Sequence, residues 1–549
     1  MKSVAPSAGR RFLVVSDFHV TSGKDQVSGR WSPTEDFFWD DTFRDFLAGH
    51  ATRPPTTLII NGDLFDFLQV LVFPTVEERE EYQIPTEEIN RAYGLQCSEA
   101  CCEFQIEQIM DGHEVMLQAL ADFLAAGNNL RILKGNHDIQ LHWPKVQERI
   151  FLRLQRFAER TNGKIAREQV KFMPWFYYVP GLLYVEHGNQ FEETTAFRNF
   201  LTPILPRGDE DRHNPQIELD LSSLLVRYLT NRLEPINPLA DNIRPLSRYY
   251  GMMWKKYPYL MISTLGTAFR FVLKAFGKAR EMKRGSVRLS YEKIVEENKR
   301  SIRMEAERFA GPDPENIRWL ERHLLQFDKR RSTPTLEKGA WTFLGSLLAE
   351  GAKGILWLAP LYLLTFMPDV GNAVLGWVKG LDVGWLTTVV EFLHRANLLH
   401  ILIVVIVGAL LIWLRGYARK KIGSGEENRS SVMPDVSKEM RGSAQYVARS
   451  LGVKFVTFGH THYADTCALF DGGRYFNTGT WMGIFEEGEQ LYRNAHQFTY
   501  LAVEGERAEL LRWNPDAGCG QPVVVVDTET PLTGDEDSMV KLMMRALKF

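Results

Sequence analysis

Five short apolar runs in this chain each end on residues that bind metals in proteins. The runs cover residues 11–16, 57–61, 130–134, 182–186 and 455–458. In the last of them, Gly459 closes the run, and His460 and His462 follow with one residue between them. Residues i and i+2 of an extended segment point to the same side, so both imidazoles can reach one site. One such pair is ordinary, but five runs that end alike indicate a shared site.

The runs alternate with helical patterns, which predicts an α/β fold. Helices are expected at about 35–49, 104–125, 144–160 and 437–451. In α/β sheets, ligand-binding residues gather beyond the carboxyl ends of the strands. The polar residues in question all follow such strand ends, so the fold should bring them together.

Seven residues form the predicted ligand set, and they share oxygen or nitrogen donors with no thiolate. They are Asp17, His19, Asp63, Asn136, His187, His460 and His462. This chemistry suits Mn, Fe or Zn. Seven ligands are too many for one tetrahedral ion but fit two divalent ions that share a carboxylate. Paired metals of this kind hydrolyse phosphoesters by activating a water as hydroxide. His137, beside Asn136, is placed to protonate the leaving oxygen.

The motifs Asp-x-His, Gly-Asp-x-x-Asp, Gly-Asn-His-Asp, His-Gly and Gly-His-x-His occur in this order and resemble those of the calcineurin-like metallophosphoesterase family. The resemblance implies a β-sandwich flanked by helices. It also implies that Asp17, His19 and His462 bind one metal and that Asn136, His187 and His460 bind the other. Asp63 would bridge the two ions. His137 would contact the phosphate and assist the leaving group.

Within that family, Gly-Asp-Leu-Phe-Asp and Phe-Asn-Thr-Gly-Thr-Trp are most similar to the bacterial UDP-2,3-diacylglucosamine pyrophosphatase branch. Two features depart from it: His137 stands where that branch commonly has arginine, and a very large insertion is present. The reaction class is therefore carried over, and the substrate is not.

Three further residues near the motifs have weaker claims to a role. Asp66 and Asp138 are expected to hold loops or to orient ligand imidazoles. His142 could face substrate or have a purely local structural role, and His113, inside a helical pattern, is interpreted as structural.

Five cysteines without a paired zinc spacing indicate reduced thiols in a cytosolic setting.

The catalytic unit is predicted to be split. Its first part covers 10–190 and its second part 437–515, with a mostly helical insertion at 191–436 and a tail at 516–549. Inside the insertion, residues 398–414 contain a single polar side chain, and 354–378 is a second apolar segment broken by prolines. These lengths approach that of a membrane-spanning helix. Both halves of the site must lie on one side of a membrane, so two spans would form a transmembrane hairpin. A buried helical hairpin or a re-entrant one is the alternative.

Residues 251–288 carry nine Lys or Arg against one acid, interleaved with apolar residues at helical spacing. A basic amphipathic helix of this type can lie on an anionic membrane surface. It could equally follow a nucleic-acid backbone, and a basic face packed on the core is the plain structural alternative. The neighbouring apolar segments favour the membrane.

The sequence thus predicts a membrane-associated, dinuclear metallophosphoesterase that faces the cytoplasm. Its substrate would be a phosphoester or pyrophosphate, with a lipid-linked substrate as one option and manganese as a candidate metal. Alternatives are a soluble phosphodiesterase or nuclease, a protein or nucleotide phosphatase, or an inactive membrane scaffold.

Overall fold

The structure is a computed structural model of the full chain. It describes residues 11–52, 55–192, 194–206, 214–231, 243–244, 285–310, 318, 321, 376–380, 384, 387–388, 436–469, 472–483, 485–486, 491–492 and 497–523. Two compact units are present. The first comprises 1–268, 278–333 and 435–549, and it contains every element discussed below. The second comprises 269–277 and 334–434, of which only 376–380, 384 and 387–388 are described.

Seventeen strands are found in the described residues. In chain order, β1 to β17 are Arg11–Val15, Thr56–Asn61, Ile89–Asn90, Gly94–Leu95, Asn129–Leu133, Val170–Met173, Phe176–Val179, Leu183–Glu186, Ile243–Arg244, Phe455–Phe458, Ala464–Ala468, Arg474–Thr478, Phe485–Glu486, Leu491–Tyr492, Thr499–Glu504, Arg507–Asn514 and Cys519–Pro522. The seven-stranded sheet has the order β17-β16-β15-β1-β2-β5-β6, and the five-stranded sheet has the order β11-β12-β10-β8-β7. The remaining short strands form one three-stranded and one two-stranded sheet.

Eight α-helices are found in the same residues. In chain order, α1 to α8 are Asp40–Ala51, Val76–Glu81, Glu99–Gly112, Glu114–Ala125, Pro144–Arg160, Leu221–Leu225, Gly285–Ala310 and Val436–Leu451. A π-helical turn, Val226–Thr230, continues α6.

The two large sheets share one hydrophobic core. Phe12, Val14 and Ile59 from the first sheet lie in one cluster with Val185 and Phe476 from the second. These apolar and β-branched side chains fit the half-buried surface of a sheet, which is why the runs form strands. The molecule is therefore an α/β protein with two packed sheets, consistent with a metallophosphoesterase fold.

Strands from the two ends of the chain lie side by side in both large sheets. β1 pairs with β2 in parallel and with β15 antiparallel. β10 pairs in parallel with β8 and β12. The parallel strands place their carboxyl ends, and hence the predicted ligands, at one edge of the molecule.

Two elements differ from the sequence prediction. The helix expected over 104–125 is broken at His113, whose φ is −127° and whose side chain lies between two carboxylates. The sequence also predicts a single strand near 170–179, where the structure has two strands in different sheets. Pro174 stands between them, and proline is poorly tolerated within a sheet ladder.

The predicted membrane segments fall almost wholly outside the described residues: all of 398–414, and all of 354–378 except 376–378. The basic stretch 251–288 is described only from 285 onward. Among the residues that the structure describes, no helix has both the length and the apolar character to cross a membrane.

Candidate metal centre

Asp17, His19 and His462 form the first group of donor atoms at the strand ends. Their donor atoms all lie within 4.8 Å of one another, and all three residues are buried. Asp17 Oδ1 is 3.4 Å from His462 Nε2, and His19 Nε2 is 3.2 Å from His462 Nε2. Two imidazole nitrogens that face each other at this distance, beside a carboxylate, are a donor set suited to a divalent cation.

Asp63, His187 and His460 form the second group, again with donor atoms within 4.8 Å of one another. Asp63 Oδ2 lies 3.0 Å from His187 Nε2 and 3.8 Å from His19 Nε2 of the first group. Although burial alone would raise it, the pKa of Asp63 is well below its usual value, because His187 and His137 stabilise the carboxylate. Its oxygen therefore stands between the two groups as an anion.

His137 is paired with Asp66. His137 Nδ1 lies 2.5 Å from Asp66 Oδ2, and the two residues form a third group of donors with His19. Burial would lower the pKa of His137, but Asp66 and Asp63 raise it to about 10. The pKa of Asp66 is about 2, since the attraction of His137 outweighs the effect of burial. The imidazole is thus held as a proton donor with its Nδ1 fixed by the carboxylate.

The backbone at the site is strained. Asp17, His19, Asp63, His460 and His462 have φ between 50° and 71°, in the left-handed region. They are five of the eight non-glycine residues with positive φ in the described part of the chain. Each such conformation costs about 1–3 kcal/mol, and it persists only where the surrounding structure holds it. Strain concentrated on these residues marks the strand ends as a functional site.

Glycines in the motifs leave room for the donor side chains. A Cβ atom on Gly135 would lie 2.0 Å from Asp63 Oδ1, and one on Gly459 would lie 2.6 Å from Asp17 Oδ2. Both distances are far below contact, so no other residue fits at these positions without displacing a carboxylate. The glycines that precede Asn136 and His460 are therefore part of the site.

The strand end at 477–481 supports two of the loops from behind. Asn477 Nδ2 donates to the Gly459 carbonyl, and Thr480 Oγ1 donates to the Asp17 carbonyl. Trp481 stacks on Phe18 with ring centroids 5.3 Å apart. This motif fixes the backbone on which Asp17 and His460 stand.

Asn136, the remaining predicted ligand, is buried beside Asp63. The next residue, His137, donates its backbone N–H to Asp63 Oδ1 at 2.9 Å. Asn136 Oδ1 is buried and makes no hydrogen bond within the described residues. An unpaired buried carbonyl oxygen is costly, and a cation would satisfy it. The donor set as a whole therefore fits two divalent ions.

The three weaker candidates occupy different places. Asp66 holds His137, as described. Asp138 accepts hydrogen bonds from the Gly135 and Leu64 amides and so ties two site loops together; its pKa is raised to about 7, first by burial and then by Asp63. His142 belongs to none of the three donor groups and lines a separate cavity of about 240 Å³ with Lys134 and Glu305. Burial lowers its pKa to about 3.

Glu192 is a site neighbour that sequence analysis missed. Its Oε2 lies 2.8 Å from His460 Nε2, and Thr195 Oγ1 lies 3.2 Å from the same nitrogen. Both residues follow β8 in a polar stretch without periodicity, so only the folded chain reveals their position. No signal in the sequence marks them.

Comparison with known proteins supplies one finding on relationship. Residues 10–227 match the model of the calcineurin-like phosphoesterase family. Neither the search of curated proteins nor the search of solved structures returned a match.

Proposed function

We propose that this chain is a dinuclear metal-dependent hydrolase. It carries a calcineurin-like phosphoesterase domain and so belongs to a family of hydrolases acting on phosphoric esters. The position of Asp63 carries the proposal. Its Oδ2 lies within 4 Å of a histidine from each of two donor groups. A carboxylate between two groups of this kind suits a pair of ions better than a single one.

The proposed ligands divide into two sets, which the donor groups support for every ligand except Asn136. Asp17, His19 and His462 would hold one ion, and His187, His460 and Asn136 the other, with Asp63 shared. When bound, the two ions would supply Lewis-acid activation of water and of the phosphoryl oxygens. Because ligands bind metal in their deprotonated forms, metal binding should release protons from the buried histidines.

His137 would act on the leaving group. Asp66 holds its Nδ1 at 2.5 Å, which leaves Nε2 as the proton donor toward substrate. With its pKa at about 10, the imidazole is charged at neutral pH and can stabilise or protonate a departing oxygen. Asp66 is thus a positioning residue for His137.

The test is hydrolysis by the purified full chain of a monoester, a diester and a pyrophosphate, with Mn²⁺ or with chelator. We expect metal-dependent turnover that disappears in Asp63→Asn. Asp465→Asn is the matched control, because Asp465 is buried and pairs with Arg441 but belongs to no donor group. Two bound metals with no turnover on any substrate would contradict the proposal, as would turnover that survives in Asp63→Asn.

We further propose that the enzyme is membrane-associated with its catalytic unit on the cytoplasmic side. Support comes from the sequence: the apolar segment 398–414, the basic residues that follow it and the basic stretch 251–288. A substrate at the membrane surface, such as a lipid-linked phosphoester, would match this location, and manganese is the metal to try first. Release of the expressed protein by alkaline carbonate would disprove the membrane part without affecting the metal centre.

A further inference from the structure

The start of the insertion presents a buried polar face. Asp220, Ser223, Arg227 and Asn231 are spaced i, i+3, i+7 and i+11 along α6 and the π-helical turn, a spacing that places side chains on one side of a helix. Their exposed fractions are 5%, 0%, 7% and 4%. A helix face turned inward is normally apolar, so four buried polar side chains in a row require an explanation.

This face borders the loops of the metal centre. Ser223 Oγ donates to the Asn136 carbonyl at 3.4 Å. Asn231 Nδ2 donates to the carbonyl of Leu68, two residues beyond Asp66, at 2.6 Å. The polar face therefore lies on the side of the site that His137 and Asp66 occupy.

Arg227 carries a buried guanidinium whose contacts within the described residues are with a thiol and an aromatic ring, that of Tyr228, whose centroid is 6.0 Å from Cζ. Its Nη1 lies 3.7 Å from Cys97 Sγ, and its Nε makes no hydrogen bond. Within the described ranges no carboxylate forms an ion pair with the guanidinium. Arginine is almost never buried without a partner, and a thiol is only a weak acceptor. The Arg227 guanidinium can therefore bind an anionic group that is not among the described residues.

Asp220 likewise keeps a buried oxygen without a hydrogen bond in the described part of the chain, and burial raises the pKa of its carboxyl to about 7. Its Oδ1 accepts from the Ser223 amide at 2.9 Å and caps the helix, whereas Oδ2 is buried without a hydrogen bond. Arg227 follows Asp220 by seven positions, which corresponds to about 10 Å along a helix axis. No hydrogen bond or ion pair joins the two side chains within the described residues, and each keeps a buried polar atom without a hydrogen bond.

We propose that this face is the leaving-group subsite of the hydrolase, and that Arg227 binds a second anionic group on the substrate. The inference rests on the proposed function. A guanidinium binds phosphate through two parallel N–H···O bonds. Asp220 Oδ2, at the end of the face where Ser223 contacts Asn136, accepts a hydrogen bond from a hydroxyl group of the same leaving group. The substrate class is therefore a phosphoester whose leaving group is hydroxylated and carries another phosphate, remote from the one that is cleaved.

Two nucleotides that differ by one remote phosphate provide the test. We would measure kcat/KM for adenosine 3′,5′-bisphosphate and for adenosine 5′-monophosphate with the wild-type chain and with Arg227→Gln. The ratio of the two values should fall at least about tenfold in the variant, mainly through KM, because a charge-assisted contact is lost. Arg227→Lys should restore part of the ratio. Arg288→Gln, which removes an exposed arginine of the insertion, should leave it unchanged.

Calorimetric binding of the same two nucleotides separates this inference from the proposed function. If the wild type binds the bisphosphate about tenfold more tightly than Arg227→Gln does, the subsite stands, even where neither nucleotide is hydrolysed. Absence of hydrolysis would then count against the proposed function alone. Equal affinities in wild type and variant, or a ratio of kcat/KM that does not change, would overturn the subsite. A melting curve for each variant checks that it is folded.

Discussion

Two sets of buried histidines lie in the same unit and are held in opposite ways. His113 has a carboxylate at each ring nitrogen: Asp40 at 3.0 Å from Nδ1 and Glu35 at 3.2 Å from Nε2. At the metal centre, His19 and His462 instead direct nitrogens at each other, and both occupy left-handed backbone. His113 is thus paired at both nitrogens and has an ordinary backbone conformation. His19 and His462 share the neighbouring carboxylates, and their backbone is strained.

The comparison shows how a structural histidine can be told from a ligand. Burial and neighbouring acids are common to both sets, so neither property decides. What differs is the arrangement: His113 has a separate carboxylate at each nitrogen, whereas His19 and His462 direct nitrogens at each other from left-handed backbone. At the metal centre, a bound cation would offset the backbone strain and would lie between the crowded imidazole nitrogens. The pairing of His113 with its two carboxylates would gain nothing from a cation.

Loss of the shared carboxylate should have the largest effect. We expect Asp63→Asn to lower phosphoester turnover by more than about 100-fold, the upper range for loss of a supporting contact around a metal. Bound metal, counted by mass spectrometry, should fall below two ions per chain. Full metal content in the variant would show that Asp63 is not shared.

Removing His113 should have the opposite profile. His113→Gln leaves Glu35 and Asp40 without their buried cation, so the free energy of unfolding should fall by about 3–5 kcal/mol. Denaturant titration measures this loss. Metal content and turnover per folded molecule should stay at the wild-type level. Loss of metal in a variant that remains folded would mean that the two sets are not independent.

The pH dependence of stability should distinguish the same pairing. Burial lowers the pKa of His113, but Asp40 and Glu35 raise it from 6.5 to about 10 in the folded chain. Because the pKa of His113 is higher in the folded chain than in the unfolded one, its protonation stabilises the fold. This stabilisation is complete below pH 6.5 and is lost as the pH rises toward 10. Between pH 6.5 and pH 8 the stability of the wild type should fall by about 2 kcal/mol relative to His113→Gln. Parallel stability curves for the two proteins would refute the pairing.

Substitution of Glu192 should have the smallest effect of the three substitutions. Its carboxylate lies against His460 Nε2, where it can orient the imidazole and increase its basicity. Glu192→Gln should therefore weaken metal binding about tenfold, measured by competition with a chelator. Glu81→Gln, at an exposed position, serves as the control. An unchanged metal affinity would assign Glu192 a role unrelated to the metals.

The main strands could be predicted from the sequence because apolar, β-branched runs of four to six residues usually form buried strands. β1, β2, β5, β8 and β10 lie within one residue of their predicted bounds. The predicted helix over 35–49 begins at Asp40, since the preceding residues form a loop around Glu35. The break at His113 was missed for the same reason: tertiary partners that are distant in sequence override local helical periodicity.

The grouping of the strand-end residues followed the motifs, and the structure brings Asp17, His19 and His462 together as one set and Asp63, His187 and His460 as another. The roles assigned to these residues remain proposals. The polar face of α6 could not be predicted, because its meaning depends on which side of the helix is buried. Sequence spacing alone does not distinguish a solvated polar face from Asp220 and Arg227 in the interior.

The order of strands in the two large sheets has a consequence for synthesis of the chain on the ribosome. β15 is a neighbour of β1, and β10 lies beside β8, yet about 270 residues separate Glu186 from Phe455. At about 5–20 residues per second, β8 waits roughly 15 to 50 seconds for β10, and β1 waits roughly 25 to 100 seconds for β15. During that time each presents an open edge that can pair with another chain. Translation speed through the insertion, and chaperones that cover strand edges, should therefore influence how much of the protein reaches its native form.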